Sequence, residues 1–382
     1  MNENRAFIYA DNAATTPLAP EALEAMEPFL KEEYANASGL YSFSRKAKKA
    51  LQDARESIAA CIGAKASEIY FTSGGTESDN WAVKGVAFQN WERRPHIVTS
   101  KIEHHAVLNS CKALERVGCT VDYLSPDSAG RILPQSLAEA IIPNTVLASV
   151  MMANNEIGTI QDIASLSQRA HSLGIVFHTD AVQAVGHIPV DVAALDVDLL
   201  SASAHKFNGP KGVGFLYIRD GIEISPLLNG GQQERGRRAG TENVAGIVGM
   251  ATALRFNVEQ MDQTTAKLRR IEQTFIDALR MTIPNVVINS DASNHLPGLV
   301  SLSIPRASGE GLLHILDLKG CAVSTGAACN SQSTEISHVL SAIGASESLS
   351  KGTLRVSFGR FNEVQDALRI VELIAKYAKI QD

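Results

Sequence analysis

Lys206 lies in Ser201-Ala202-Ser203-Ala204-His205-Lys206, between the apolar runs 197–200 and 213–218. A lysine in a tight loop between two core strands, beside Ser203, His205 and glycines, is badly placed for a solvated surface charge. Desolvation and neighbouring cations turn such an amine into a nucleophile for carbonyl groups; the alternative is a lysine that caps a turn. Asp180, in His178-Thr179-Asp180-Ala181-Val182-Gln183, has small and apolar neighbours and needs a partner, since burying an unpaired charge is costly. An arginine would serve, as would a protonated pyridine nitrogen whose ring acts as an electron sink. Ser73-Gly74-Gly75-Thr76 falls between a strand and a helix, which puts free amides and the Thr76 hydroxyl at a positive helix end suited to an anion. No Gly-Lys-Ser/Thr follows, so it is not a Walker loop. An anion cradle, a carboxylate and an amine are together what pyridoxal 5'-phosphate requires, and His104 could cover one face of its ring or be a satisfied core histidine.

Two further residues extend the set. Thr353-Leu354-Arg355-Val356-Ser357-Phe358 alternates with period two, so Arg355 points away from the core side of its strand, as a carboxylate clamp or as half of a surface ion pair. Cys329 sits in a run of small and polar residues, 324–333, with no helical or strand period, which reads as a mobile loop. A thiol there favours a nucleophilic role. Cys61 and Cys111 fall within helical patterns, Cys119 precedes a strand and Cys321 begins one, which reads as structural.

The elements that must position these residues alternate. Strands at 68–72, 96–100, 120–124, 145–152, 176–179 and 197–200 are interleaved with helices at 78–89, 105–117, 134–142 and 161–173. This predicts a mostly parallel sheet covered by helices, with ligands at the carboxyl ends of its strands. A short strand near residue 8 and helices at 20–30 and 45–62 come first. A glycine-rich loop, 228–241, leads into a long helical region, 244–280. The rhythm then changes to strands at 286–288, 299–304, 322–324 and 353–358 with helices at 309–318 and 362–379. The expectation is an α/β protein with a large domain, 16–255, and a smaller α+β domain, 1–15 and 256–382.

Composition excludes several classes. The chain has 382 residues, is 45% hydrophobic and 20% charged, and carries a formal net charge of −6, which leaves no footprint for nucleic acid or an anionic membrane. No stretch approaches about 18 uninterrupted apolar residues, and the first residues lack a signal-peptide pattern. Five cysteines without a Cys-x-x-Cys pair imply reduced thiols, no zinc site and a cytoplasmic location.

The quoted motifs, with Gly75-Thr76-Glu77-Ser78, Glu103-His104, Ala153-Asn154-Asn155-Glu156 and Gly236-Arg237-Arg238-Ala239-Gly240-Thr241, resemble the NifS/IscS type of cysteine desulfurase. That family belongs to the class V aminotransferase-like pyridoxal-phosphate enzymes of fold type I. The resemblance implies that Lys206 carries the cofactor, that Gly75, Thr76, Ser203 and His205 seat its phosphate, and that Thr241 does so from the other subunit of a homodimer. It implies that Asp180 pairs with the ring nitrogen, Gln183 reaches the ring hydroxyl, His104 stacks on the ring, and Asn155 and Arg355 hold the carboxylate of L-cysteine. Cys329 would take the sulfur as a persulfide, release L-alanine and pass sulfur to a protein acceptor such as an iron-sulfur scaffold. A selenocysteine lyase, an aminotransferase or a non-catalytic sulfur relay are the alternatives. Ala35-Asn36-Ala37-Ser38 and Thr325-Gly326-Ala327-Ala328-Cys329 depart from the family's Gly-Asn-Pro-Ser and Ser-Gly-Ser-Ala-Cys.

Overall fold

A computed structural model describes residues 7–325 and 336–378. Its centre is a seven-stranded sheet. From edge to edge the strands are Ile69–Thr72, Gly214–Ile218, Leu199–Ser203, Val176–Asp180, Thr145–Ser149, His96–Ser100 and Thr120–Leu124. The last five run parallel, whereas Gly214–Ile218 is antiparallel to both of its neighbours.

Burial on both faces explains the apolar strands. Side chains alternate across the sheet: Phe71, Phe177 and Phe215 join one core with Leu51, Ile58 and Leu254, while Tyr70, Leu199 and Leu216 join another with Trp81, Val107 and Leu114. The first core is covered by helices that include Arg45–Cys61 and Val244–Glu259, the second by Gly75–Gln89 and His105–Glu115.

A second, three-stranded antiparallel sheet pairs Leu299–Ser303 with Thr353–Ser357 and Val287–Ile288. Leu354, Val356 and Phe358 pack with Ile271, Phe275 and Ile370, residues that include members of helices Met261–Thr282 and Val364–Tyr377. The chain start joins this part: Ile8–Tyr9 pairs with Cys321–Ala322, and Asp11 bridges to Ser357.

Three local readings are corrected. The helix expected from residue 78 begins at Gly75, because the backbone turns at Gly74 (φ 146°) and nothing downstream interrupts the helix. The strand expected at 197–200 is Leu199–Ser203, which puts Ser203 at a strand end rather than in a loop. The helical region 244–280 is two helices that meet at Gln260. Cys61, Cys111 and Cys119 are free thiols, and burial pushes Cys111 up to about 12. Among the described residues no helix is long and apolar enough to cross a membrane.

Candidate active site

Gly75, Thr76, His104, Asn155, Asp180, Gln183, Ser203, His205, Lys206 and Arg355 line one cavity of about 550 Å³. It opens where the parallel strands end, as open α/β sheets require. Thr241 is exposed and does not line it. Cys329 lies outside the described residues.

One wall is the start of helix Gly75–Gln89. No side chain caps it, so its leading amides face the cavity without intrahelical partners. The approach is close enough to exclude side chains. A Cβ on Gly75 would fall 2.5 Å from Val182 Cγ2, and one on Gly214 would fall 2.7 Å from Gly74 Cα. The Ser203 hydroxyl lies 3.4 Å from where a Gly74 Cβ would be. Amides and a hydroxyl converge on a point suited to an anion.

The floor is acidic. Asp180 ends its strand, is 4% exposed, and accepts a 2.9 Å bond from the Val182 amide at Oδ1. Burial raises its pKa, while His104, that amide, Lys206 and Asp79 act the other way. Asp79, one turn into the helix and 1% exposed, is raised well above the ordinary carboxylate value by burial and by Asp180. Asp79, Asp180 and His104 each bring a ligating atom within 4.8 Å of the others. His104 accepts from the Ala106 amide at Nδ1, 3.1 Å away, and burial lowers its pKa, so its neutral form carries the proton on Nε2.

Lys206 reaches over this floor. Its Nζ donates to the carbonyls of Ala13 and of Ala14, the latter at 2.9 Å, and Gln183 Nε2 donates to Ala13 at 2.8 Å. At the far wall Arg355, 3% exposed, donates from Nη2 to Asp11 at 2.7 Å and from Nη1 to the Asn155 carbonyl at 2.9 Å. Its Nε is buried and has no hydrogen-bond partner among the described residues. An uncapped helix end, a buried carboxylate pair, an amine and an arginine suit a group bearing an anion, a basic ring nitrogen and a carbonyl, next to a carboxylate.

Residues 8–370 match the Aminotransferase class-V family. The chain belongs to that family. Among class-V relatives, a protein named cysteine desulfurase IscS from Dictyoglomus turgidum is 51% identical over 359 residues, 94% of this chain and 91% of its own length. A solved NifS-like protein superposes with a TM-score of 0.92 at 36% identity, covering 97% of this chain and 98% of that one. A structure described as SspA in complex with cysteine gives 0.84 at 39% identity, covering 93% and 99%. The fold class is therefore the expected one.

In this class-V chain the loop before Thr241 is pinned to the site from outside. Arg238 forks onto Glu77 at 2.8 and 3.0 Å, and Glu77 accepts from the Ser73 amide at 2.7 Å, beside the helix end. Glu234 holds left-handed backbone (φ 45°) and bonds Arg55 and the Phe71 amide.

Sequence reading missed Asp79, Asp11 and the Ala13 and Ala14 carbonyls that meet Lys206. Asp79 carried a usable signal: it is a charged residue in a helix, 75–89, that the structure buries among Ser78, Trp81, Ala82 and Val83. Asp11 and Ala13 carried none, because their partners are Arg355 and Lys206, far along the chain.

Proposed function

We propose that this chain is a pyridoxal-phosphate-dependent cysteine desulfurase that converts L-cysteine to L-alanine and loads sulfur onto Cys329. The reading rests chiefly on one observation: Lys206, Asp180 and the uncapped helix start at Gly75 face a single cavity. The residues fit the cofactor on structural grounds, through a glycine cradle that a Cβ would fill and a buried acidic floor of Asp79 and Asp180. Gly75, Thr76, Ser203 and His205 would hold the phosphate, Asp180 the ring nitrogen, Gln183 the ring hydroxyl, His104 a ring face, and Lys206 the aldehyde carbon. Bound there, pyridoxal phosphate supplies an electron-accepting ring that makes the substrate's Cα–H acidic.

The remaining steps belong to the chain. Arg355 and Asn155 orient the substrate carboxylate, which places Cα over the Lys206 amine. Lys206, once free, moves the α-proton. The Cys329 thiolate attacks the substrate sulfur, the Cβ–S bond breaks with its electron pair left on carbon, and that carbon takes up a proton. Cys329 keeps the sulfur as a persulfide, for a protein acceptor such as an iron-sulfur scaffold.

We further read residues 16–255 as a large cofactor-binding domain and 1–15 with 256–382 as a small one, in a cytoplasmic homodimer. An exposed Thr241 on a loop pinned beside the phosphate seat supports donation to a second copy's phosphate. The test is direct: purified protein is expected to show a yellow absorption and to form alanine and sulfide from L-cysteine with a reductant. Cys329→Ala is expected to keep the colour and lose sulfide release. Colourless wild type that forms no alanine would sink the reading, and equal sulfide release by the variant would sink the role of Cys329.

A further inference from the structure

Asp79 has no obvious reason to be where it is. It lies on a helix packed against the sheet, is 1% exposed, and its Oδ1 has no hydrogen-bond partner among the described residues. A charged carboxylate so placed needs a cation, and no described residue pairs with it as one. His178 is nearest in kind, with Nε2 3.7 Å from Asp79 Oδ1, beyond hydrogen-bonding distance. Its ring nitrogens are already engaged by Ser149 Oγ at 2.8 Å and Ser201 Oγ at 3.0 Å. Burial depresses it to about 3, so it stays neutral. The other titratable groups facing this point are Asp180 on the adjacent strand, Glu103 and His104 before the next helix, and, across Asp180, Lys206. Glu103 is itself pushed up to about 8 by burial.

Two buried carboxyls with oxygens within 4.8 Å of one another do not both ionise. Asp180 has the Val182 amide, His104 and Lys206 to stabilise its charge. Asp79 has only the Ser201 hydroxyl, which it shares with His178. The proton therefore belongs on Asp79.

We propose that Asp79 is a positioning residue: as a neutral carboxylic acid it donates a hydrogen bond to Asp180 and aims that carboxylate at the cofactor's ring nitrogen. The arrangement fixes Asp180 without discharging it. A lysine or arginine in the same place would also hold Asp180, but would compete with the ring for its charge. An acid leaves the pair with a single negative charge, matched to one ring cation. This rests on the cofactor reading above.

The test uses full-length protein freed of cofactor and titrated with pyridoxal phosphate, for wild type, Asp79→Asn and Asp79→Ala. The amide keeps a donor and the shape. Asp79→Asn is expected to bind the cofactor within about twofold of wild type, and Asp79→Ala about tenfold more weakly, as for one hydrogen bond to a charged group. The pH midpoint of the bound cofactor's visible band is expected to move in Asp79→Ala only, which a merely structural loss would not produce. Infrared difference spectra of wild type against Asp79→Asn near neutral pH are expected to show the carbonyl stretch of a protonated acid, whether or not Asp79→Ala folds. Unchanged affinity and midpoint in Asp79→Ala would overturn the proposal. So would Asp79→Asn behaving like Asp79→Ala, or a wild type without the acid stretch. Wild type that binds no pyridoxal phosphate would instead overturn the cofactor reading itself.

Discussion

Arg55 grips Glu234 through two hydrogen bonds, Nη1 to Oε2 at 2.8 Å and Nη2 to Oε1 at 2.7 Å, with both residues buried. The pair ties the glycine-rich loop to the helix Arg45–Cys61 and, through the Phe71 amide, to the edge strand. Removing one partner leaves the other charged and buried. Glu234→Ala is expected to cost about 3 kcal/mol of stability, with Arg55→Ala similar and the double variant well short of their sum. Denaturant melts of the four proteins check this, and additive losses would show that the two residues act separately.

Arg355 already spends its guanidinium on Asp11 and Asn155. On the proposed reading a substrate carboxylate meets that fork, which a lysine cannot reproduce. Arg355→Lys is expected to lower kcat/KM for L-cysteine by about tenfold or more, mainly through KM. Steady-state kinetics decide it; an unchanged KM would remove Arg355 from the carboxylate site.

Stability should fall as pH rises above neutrality. Burial raises Glu103 to about 8 and Glu156 to about 7, so between the usual carboxylate range and those values the folded chain holds protons that the unfolded chain has released. Their contribution is complete below about pH 4.5 and lost by about pH 8. His178, lowered to about 3, acts oppositely, but only below the ordinary histidine value. Above about pH 6.5 each of these two carboxyls contributes a slope of at most about 1.4 kcal/mol per pH unit. The melting temperature is expected to drop between pH 6.5 and 8.5, and Glu103→Gln to drop less. Parallel curves for the two proteins would contradict this account.

Gly75→Ala is expected to push Val182 and, through its amide, Asp180. A cost of about 1–3 kcal/mol in stability, with weaker cofactor binding, is the expected result of such overpacking. Equilibrium titration and thermal melts measure both; a variant with unaltered cofactor affinity would mean that Val182 can move freely.

How far the sequence could be read follows from where each signal resides. The βα alternation was legible because strands such as Val176–Asp180 are buried on both faces and so read as apolar runs. Lys206, Asp180 and Thr76 stood out because each follows such a run. The helix start at Gly75 was placed late, at residue 78, because glycines carry no side-chain pattern, although here the turn at Gly74 sets the start. The break at Gln260 was hidden, since no proline or glycine marks it. Asp11 gained meaning only from a partner brought near by folding, which no local pattern records.

The seam at Asp11 also sets an order of events at birth. Asp11 is made 344 residues before Arg355, while the helix start at Gly75, Asp180 and Lys206 all lie between them. On a ribosome adding about 5–20 residues per second, the stretch from Lys206 to Arg355 takes roughly seven to thirty seconds. On the proposed reading, a nascent chain owns the residues that would grip the cofactor well before the arginine that closes the far wall, and substrate recognition would be among the last properties it acquires.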